Sequence, residues 1–216
     1  MTVRKRMFYL LGFSGLVVLG TLVWSVTARA GYESAPYKVI ESAGNIEIRE
    51  YPDLVLASTQ SNPNARGRDG SFMKLFRYIS GNNNAQQKIE MTTPVFMEEE
   101  SEASKGKMGF VMPQKIVESG APSPQSDDVT IRTREGGRFA VIRFSGVMDD
   151  KLAESQEAKL REWMTKNGYE GVETAERAGY DPPFKPGPLR RNEILIRLQP
   201  ENDVESTESE TAGNVE

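Results

Sequence analysis

The sequence contains no cysteine and no histidine. Without cysteine there are no disulfides, no thiolate metal site and no cysteine nucleophile, so redox chemistry says nothing about compartment. Without histidine, the Ser-His-Asp and Cys-His catalytic arrangements and the imidazole zinc sites drop out as well. Concentrated positive charge is also lacking. The formal net charge of −4 becomes −8 without the four cations of residues 1–30, and −2 once the six acids of the C-terminal tail are also set aside. A body so close to neutral has no basic stripe, which excludes nucleic acid as a partner.

What is present divides into three stretches. Arg4, Lys5 and Arg6 open the chain, and Met7 to Val26 are apolar apart from Ser14, Thr21, Ser25 and three glycines. Ala28-Arg29-Ala30 then supplies a small-x-small cleavage pattern. Residues 1–30 are therefore expected to direct export. They do so either as a cleaved signal peptide or as an uncleaved anchor spanning the ~30 Å of hydrocarbon, with the rest of the chain on the periplasmic side. At the other end, residues 200–216 carry six acids, no base and almost no large apolar side chain, the composition of a disordered tail. The stretch between, residues 35–199, is long enough for one medium-sized domain with a single core.

Within that body, strands alternate with two helices. Tyr37–Glu41, Ile46–Tyr51 and Leu54–Gln60 read as paired strands separated by the turns Ala43-Gly44-Asn45 and Pro52-Asp53. A short helix follows over Phe72–Ser80, with Ser71 or Asp69 as cap and Phe72, Leu75, Phe76 and Ile79 as its apolar stripe. Lys88-Ile89-Glu90-Met91-Thr92-Thr93-Pro94-Val95-Phe96 alternates as a strand, with an edge, bulge or end at Pro94. Strands Met108–Met112, Val129–Arg134 and Phe139–Phe144 come next. Pro122 and Pro124 mark a long loop between the first two. A second helix, Asp150–Lys166, ends at Asn167-Gly168, and its stripe is Leu152, Gln156, Leu160, Trp163 and Met164. The order of strands, helix and more strands occurs twice. This predicts two halves whose strands join in one curled sheet, with a ligand cleft where they meet.

The chain closes on Gly179-Tyr180-Asp181-Pro182-Pro183-Phe184-Lys185-Pro186 and then Arg190-Arg191-Asn192-Glu193-Ile194-Leu195-Ile196. The Met-Thr-Thr-Pro-Val run, this Tyr-Asp-Pro-Pro loop with its Arg-Asn-Glu strand, and the opening Tyr-Lys-Val-Ile-Glu and Ile-Glu-Ile-Arg-Glu-Tyr runs stand in order over Tyr37 to Leu198. Together they resemble the SOUL haem-binding family. The resemblance implies an α+β fold: a distorted antiparallel β-barrel with two packed helices and a pseudo-twofold repeat. The ligand-binding domain of bacterial multidrug-responsive regulators is similar. It further implies a haem or other tetrapyrrole held between the first helix and the Tyr-Asp-Pro-Pro loop. Phe72, Met73, Phe76 and Arg77 then form the helix wall, and Tyr180, Phe184 and Lys185 the loop wall. With no histidine, iron is expected to be weakly ligated or unligated; of Tyr180, Met73 and Lys185, Tyr180 is the best candidate for ferric iron.

Two other classes stay open at this point. Glu90 and Glu193 are strand carboxylates that would serve a hydrolase as general base if they faced a cavity; otherwise each is a surface or ion-paired residue, with Arg190, Arg191 or Arg197 as partner. The exposed loops and acidic tail would equally suit a protein-interaction module at a membrane surface, and another hydrophobic small molecule would suit the cleft.

Overall fold

The computed structural model describes residues 32–61, 70–98 and 106–199. The leader expected over residues 1–30 and the tail expected from residue 200 lie outside the described residues. No helix among the described residues is long and apolar enough to cross a membrane.

Strands β1 (Glu33–Ser34), β2 (Lys38–Ala43), β3 (Ile46–Tyr51) and β4 (Leu54–Gln60) lead into helix α1 (Ser71–Ile79). Then come β5 (Thr92–Thr93), β6 (Val95–Glu98), β7 (Lys107–Val111), the short α2 (Gln114–Ser119), β8 (Thr130–Arg134) and β9 (Gly137–Phe144). Helix α3 (Asp150–Lys166), β10 (Glu176–Gly179) and β11 (Asn192–Arg197) complete the body. Nine strands form one sheet in the order β2-β3-β9-β11-β10-β6-β7-β4-β8, and every neighbouring pair is antiparallel. A separate parallel pair, β1 with β5, ties the N-terminal arm to the Met-Thr-Thr-Pro run.

The duplication expected from element order is present in the sheet. One half runs β4, α1, β6, β7 and the other β9, α3, β10, β11. Reading outward from the centre gives β6-β7-β4 on one side and β10-β11-β9 on the other. The seam is the β6–β10 pair, in register from Glu176 opposite Glu98 to Gly179 opposite Val95. The edge strand β8 curls back over the concave side. Arg134, at its end, lies over the rings of Phe139 on β9 and Phe96 on β6, 4.4 and 4.5 Å from their centroids.

Directly opposed residues share a face of the sheet, so the registers assign two layers. The concave layer is packed with Tyr51, Leu54, Leu56, Phe96, Val111, Phe139, Val141, Ala178, Tyr180 and Leu195. On the convex side, α1 covers β4 and β7 through Leu75, Tyr78 and Ile79, and α3 covers β9 and β11 through Ala153, Leu160 and Met164. Each fully buried leucine, isoleucine or methionine among them stabilises the fold by about 1.5–3 kcal/mol.

Several elements differ from the sequence expectation. The central run is not one strand: Lys88–Met91 is irregular, and pairing is split at Pro94, whose peptide bond to Thr93 is cis. A third helix, α2, occupies part of what reads as loop, enclosed by Pro113 and Gly120. Strand β10 was not expected, because Glu-Arg-Ala-Gly has neither alternation nor a β-branched residue. Helix α1 begins at Gly70 in a left-handed conformation, with no side-chain cap from Ser71; the Ser71 hydroxyl points at the Met108 sulfur instead. Its buried stripe is Ser71, Leu75, Tyr78 and Ile79, not Phe72, Leu75, Phe76 and Ile79. Tyr78 goes inward because its hydroxyl donates to the Pro122 carbonyl, which removes the cost of burying it.

Candidate functional site

The rotation of α1 leaves its two phenylalanines on a flank rather than in the core. Phe72 and Phe76 stack with centroids 6.1 Å apart, and Phe72 meets Phe110 of β7 edge-on at 5.2 Å. Phe76 is 44% exposed and Met73 48%, although the opposite face of the same helix is fully buried.

The two long outer helices sit over β4/β7 and β9/β11, about four strand spacings apart. At ~4.8 Å per spacing that is roughly 19 Å, about twice the separation of packed helices. Among the described residues no helix covers the convex face over the β6–β10 seam, where Val95, Met97, Arg177 and Gly179 are only partly buried, so the two helices flank a groove. Its floor follows from the register: Val95 and Met97 on β6, Gly179 and Arg177 on β10. Arg177 donates to Asp150 at the start of α3, 2.9 Å away, which fixes a cation between floor and wall.

The groove ends at the proline-rich loop. Phe72 contacts Phe110, Phe110 pairs with Val95, and Val95 pairs with Gly179, the last residue before Tyr180. That chain of neighbours brings the α1 wall and the base of the loop to one level of the sheet. The loop is held by its own contacts. Asp181 accepts from Lys185 Nζ and from the Arg191 amide, both at 2.6 Å, and Arg190 Nε donates to the Lys185 carbonyl. The Gly146 amide donates to Gly187, whose Cα lies against Val147. Phe184 (87% exposed), Leu189 and Val147 then stand out as apolar groups on a stiffened rim.

The sequence-derived residues are therefore distributed unevenly. Phe72, Met73 and Phe76 share one flank of α1. Arg77 is exposed and makes no ion pair among the described residues, but it lines a polar cleft with Lys74, Asn82 and Ser126 on the side away from the phenylalanines. Phe184 and half-buried Lys185 are on the loop. Tyr180 is not on the groove at all. Two residues beyond inward-facing Ala178, it turns into the concave layer, donates its hydroxyl to Glu193 at 2.8 Å and stacks under the Arg191 guanidinium at 4.1 Å. Burial, reinforced by the Glu193 charge, pushes its hydroxyl well above the ordinary tyrosine range. The phenolate that would ligate ferric iron is thereby disfavoured, and Tyr180 loses its place as the best axial candidate. Met97, Arg177 and Gly179 were missed for want of a β10; only the Met-Thr-Thr-Pro run pointed to this part of the sheet.

Of the two carboxylates considered for general-base chemistry, Glu90 is a surface residue and Glu193 an ion-paired one, the alternative the sequence left open. Glu90 is exposed in the irregular stretch before β5. Glu193 is completely enclosed, with Arg49 Nη1 and Nη2 donating to its two oxygens at 2.8 and 3.1 Å and Arg191 Nε at 2.7 Å. Burial alone would raise its pKa, but the two guanidiniums and the Tyr180 hydroxyl outweigh that and hold it below the usual carboxylate range. A base needs the opposite shift and an open face. No cluster that could hold a metal ion is present among the described residues.

Among solved structures, the fold is similar to an EcmrR–DNA complex (TM-score 0.55, 9% identity, covering 91% of this chain and 68% of that one). It is also similar to an uncharacterized conserved protein from Listeria innocua (TM-score 0.53, 8% identity, 72% of this chain and 92% of that one). At such identities the likeness concerns the fold alone. Sequence relatives include Heme-binding protein 1 of Mus musculus, 27% identical over 187 residues, 82% of this chain and 91% of that protein. Heme-binding protein 1 of Bos taurus is 31% identical over 128 residues, 57% of this chain and 66% of that protein, just under two thirds of its length. The SOUL heme-binding protein family matches residues 32–197, which takes in every described strand and helix. With the duplicated sheet, both outer helices and the proline-rich loop all inside that match, this chain belongs to the SOUL heme-binding protein family.

Proposed function

We propose that this chain is a non-catalytic binder of haem or a related tetrapyrrole, that the ring lies in the convex groove between α1 and the Tyr-Asp-Pro-Pro loop, and that residues 1–30 carry the domain across a membrane or hold it there. Family membership and the names of the relatives support the ligand class. The observation that carries the location is the half-exposed Phe72–Phe76–Met73 flank facing a bare strip of sheet. Aromatic and thioether surface left open beside an uncovered floor suits the faces of a flat ring. Arg177 in the floor and Lys185 at the rim are the cations within reach of the ring's carboxylates. Each is already paired with an aspartate, so they orient the ligand more than they add affinity. With Tyr180 turned inward, Met73 and Lys185 are the remaining iron ligands of those considered, and binding rests on apolar contact.

The test is a titration of the purified chain with haem and with metal-free protoporphyrin, followed by absorbance and by Trp163 fluorescence. The two ligands are expected to bind within about tenfold of each other, a difference of about 1.4 kcal/mol. Tight haem binding with no porphyrin binding would mean a ligated iron and a different site. If neither binds, the tetrapyrrole reading falls.

A further inference from the structure

A second cavity, of about 360 Å³, opens at the rim of the concave layer, on the other side of the sheet from the groove. The N-terminal arm, the start of β4 and helix α2 enclose it. Leu54, Val111, Met112 and Val117 give it apolar walls, and Val117 is 42% exposed at its mouth. Among the described residues its charged lining is Glu33 and Asp53, with no lysine or arginine. Both acids are held in place by backbone donors. The Gln114 amide at the start of α2 donates to Glu33 Oε1 at 2.9 Å, and the Gly136 amide to Asp53 Oδ1 at 2.7 Å. The second oxygen of each carboxylate has no partner among the described residues. Most other carboxylates that line a cavity or the core here are matched to a cation: Asp128 to Lys74, Glu98 to Arg132, Glu176 to Arg134, Glu193 to Arg49.

We infer that this cavity binds an organic cation with an apolar body, such as a quaternary or aromatic amine. Apolar walls take the body out of water, and the two fixed carboxylates face its charge across the mouth. The same charges exclude a carboxylated tetrapyrrole, so this site and the convex groove select ligands of opposite sign. The inference does not depend on haem binding.

The full-length chain is titrated with benzyltrimethylammonium, with the similarly sized anion benzenesulfonate and with neutral benzyl alcohol, by equilibrium dialysis. The cation is expected to bind measurably and the anion not at all, with the neutral compound at least about tenfold weaker than the cation, the scale of two partly exposed charge contacts. In Glu33→Gln/Asp53→Asn, which keeps both acceptor oxygens for the Gln114 and Gly136 amides, the cation's affinity falls by about tenfold or more. The melting temperature and haem titration of that variant stay as in the parent, separating this outcome from failure of the groove. Equal binding of cation and anion, undiminished cation binding in the double variant, or no cation binding at all would overturn the proposal.

Discussion

Replacing Glu193 with glutamine removes one charge from the least exposed ion cluster among the described residues. The parent cluster joins Arg49, 1% exposed, and Arg191 to a carboxylate with no solvent contact; Arg49 also pairs with Glu47 and lies over the Tyr37 ring at 4.2 Å. In Glu193→Gln two guanidiniums face an amide that can neutralise neither. Breaking a buried pair from one side costs about 3–5 kcal/mol, because the surviving charge keeps its desolvation penalty and loses its partner. Solvent screening does not reduce this figure at zero exposure. Urea denaturation at pH 7 is the assay, and a loss below about 1 kcal/mol would refute the account of the cluster. The pH dependence gives an independent check. The carboxyl is depressed in the folded state, so its stabilisation is complete above its unfolded value near 4.5 and is lost as pH falls through the lower folded value. The parent should therefore lose more stability than Glu193→Gln on acidification below pH ~4.5, and the two curves should converge. Parallel curves would mean that Glu193 is not the group being protonated.

Three further outcomes follow from named contacts. Tyr180→Phe removes a hydrogen bond to a buried carboxylate and should cost about 1.5–3 kcal/mol in urea denaturation, yet leave the absorbance spectrum of bound haem unchanged; a shifted spectrum would put the hydroxyl on the iron. Gly136→Ala places a methyl 2.6 Å from the Pro52 carbonyl carbon and 2.8 Å from the Asp53 nitrogen, both backbone atoms that cannot yield. It should lower stability by about 3 kcal/mol or more, and a melting temperature like the parent's would contradict the packing at that turn. Phe76→Ala removes a half-exposed ring, so it should cost about 1 kcal/mol or less in stability while weakening protoporphyrin by about tenfold. Equal porphyrin affinity would move the ligand off the α1 wall.

The elements legible from sequence are those whose start, stripe and stop agree. Helix α3 has the expected bounds, Asp150–Lys166, because Asp149 accepts from the Leu152 amide at one end and Asn167-Gly168 closes the other. The repeat was legible because it lives in element order, which survives when sequence identity between halves does not. Helix α1 was found but its orientation was not. Periodicity ranks Phe72 and Phe76 above Ser71 and Tyr78 by hydrophobicity, whereas the helix packs close to the sheet through the small Ser71 and a hydrogen-bonded Tyr78. That rotation is what leaves Met73 and Phe76 exposed on the flank of the helix. Helix α2 and β10 carry too few residues for any period to register.

The least legible part is the concave layer, and the reason bears on function. Along β3 the alternation Ile46-Glu47-Ile48-Arg49 has one apolar and one charged side, which in an open sheet would mean one face in water. Here the charged side is the inside of a curled sheet: Arg49 meets Glu193 across the layer, Arg132 meets Glu98, and Arg134 meets Glu176 through Nε at 2.9 Å while its Nη1, with no hydrogen-bond partner among the described residues, rests against the rings. None of these partners is near the other in sequence, so only the closed register reveals them. The consequence is that much of the sheet's interior is occupied by its own ion pairs and aromatics. The proposed placement of a tetrapyrrole on the outer seam between the two halves rests on that packing, because among the described residues no helix covers the seam. The same duplication that makes the fold self-complete on its concave side opens the groove on its convex side.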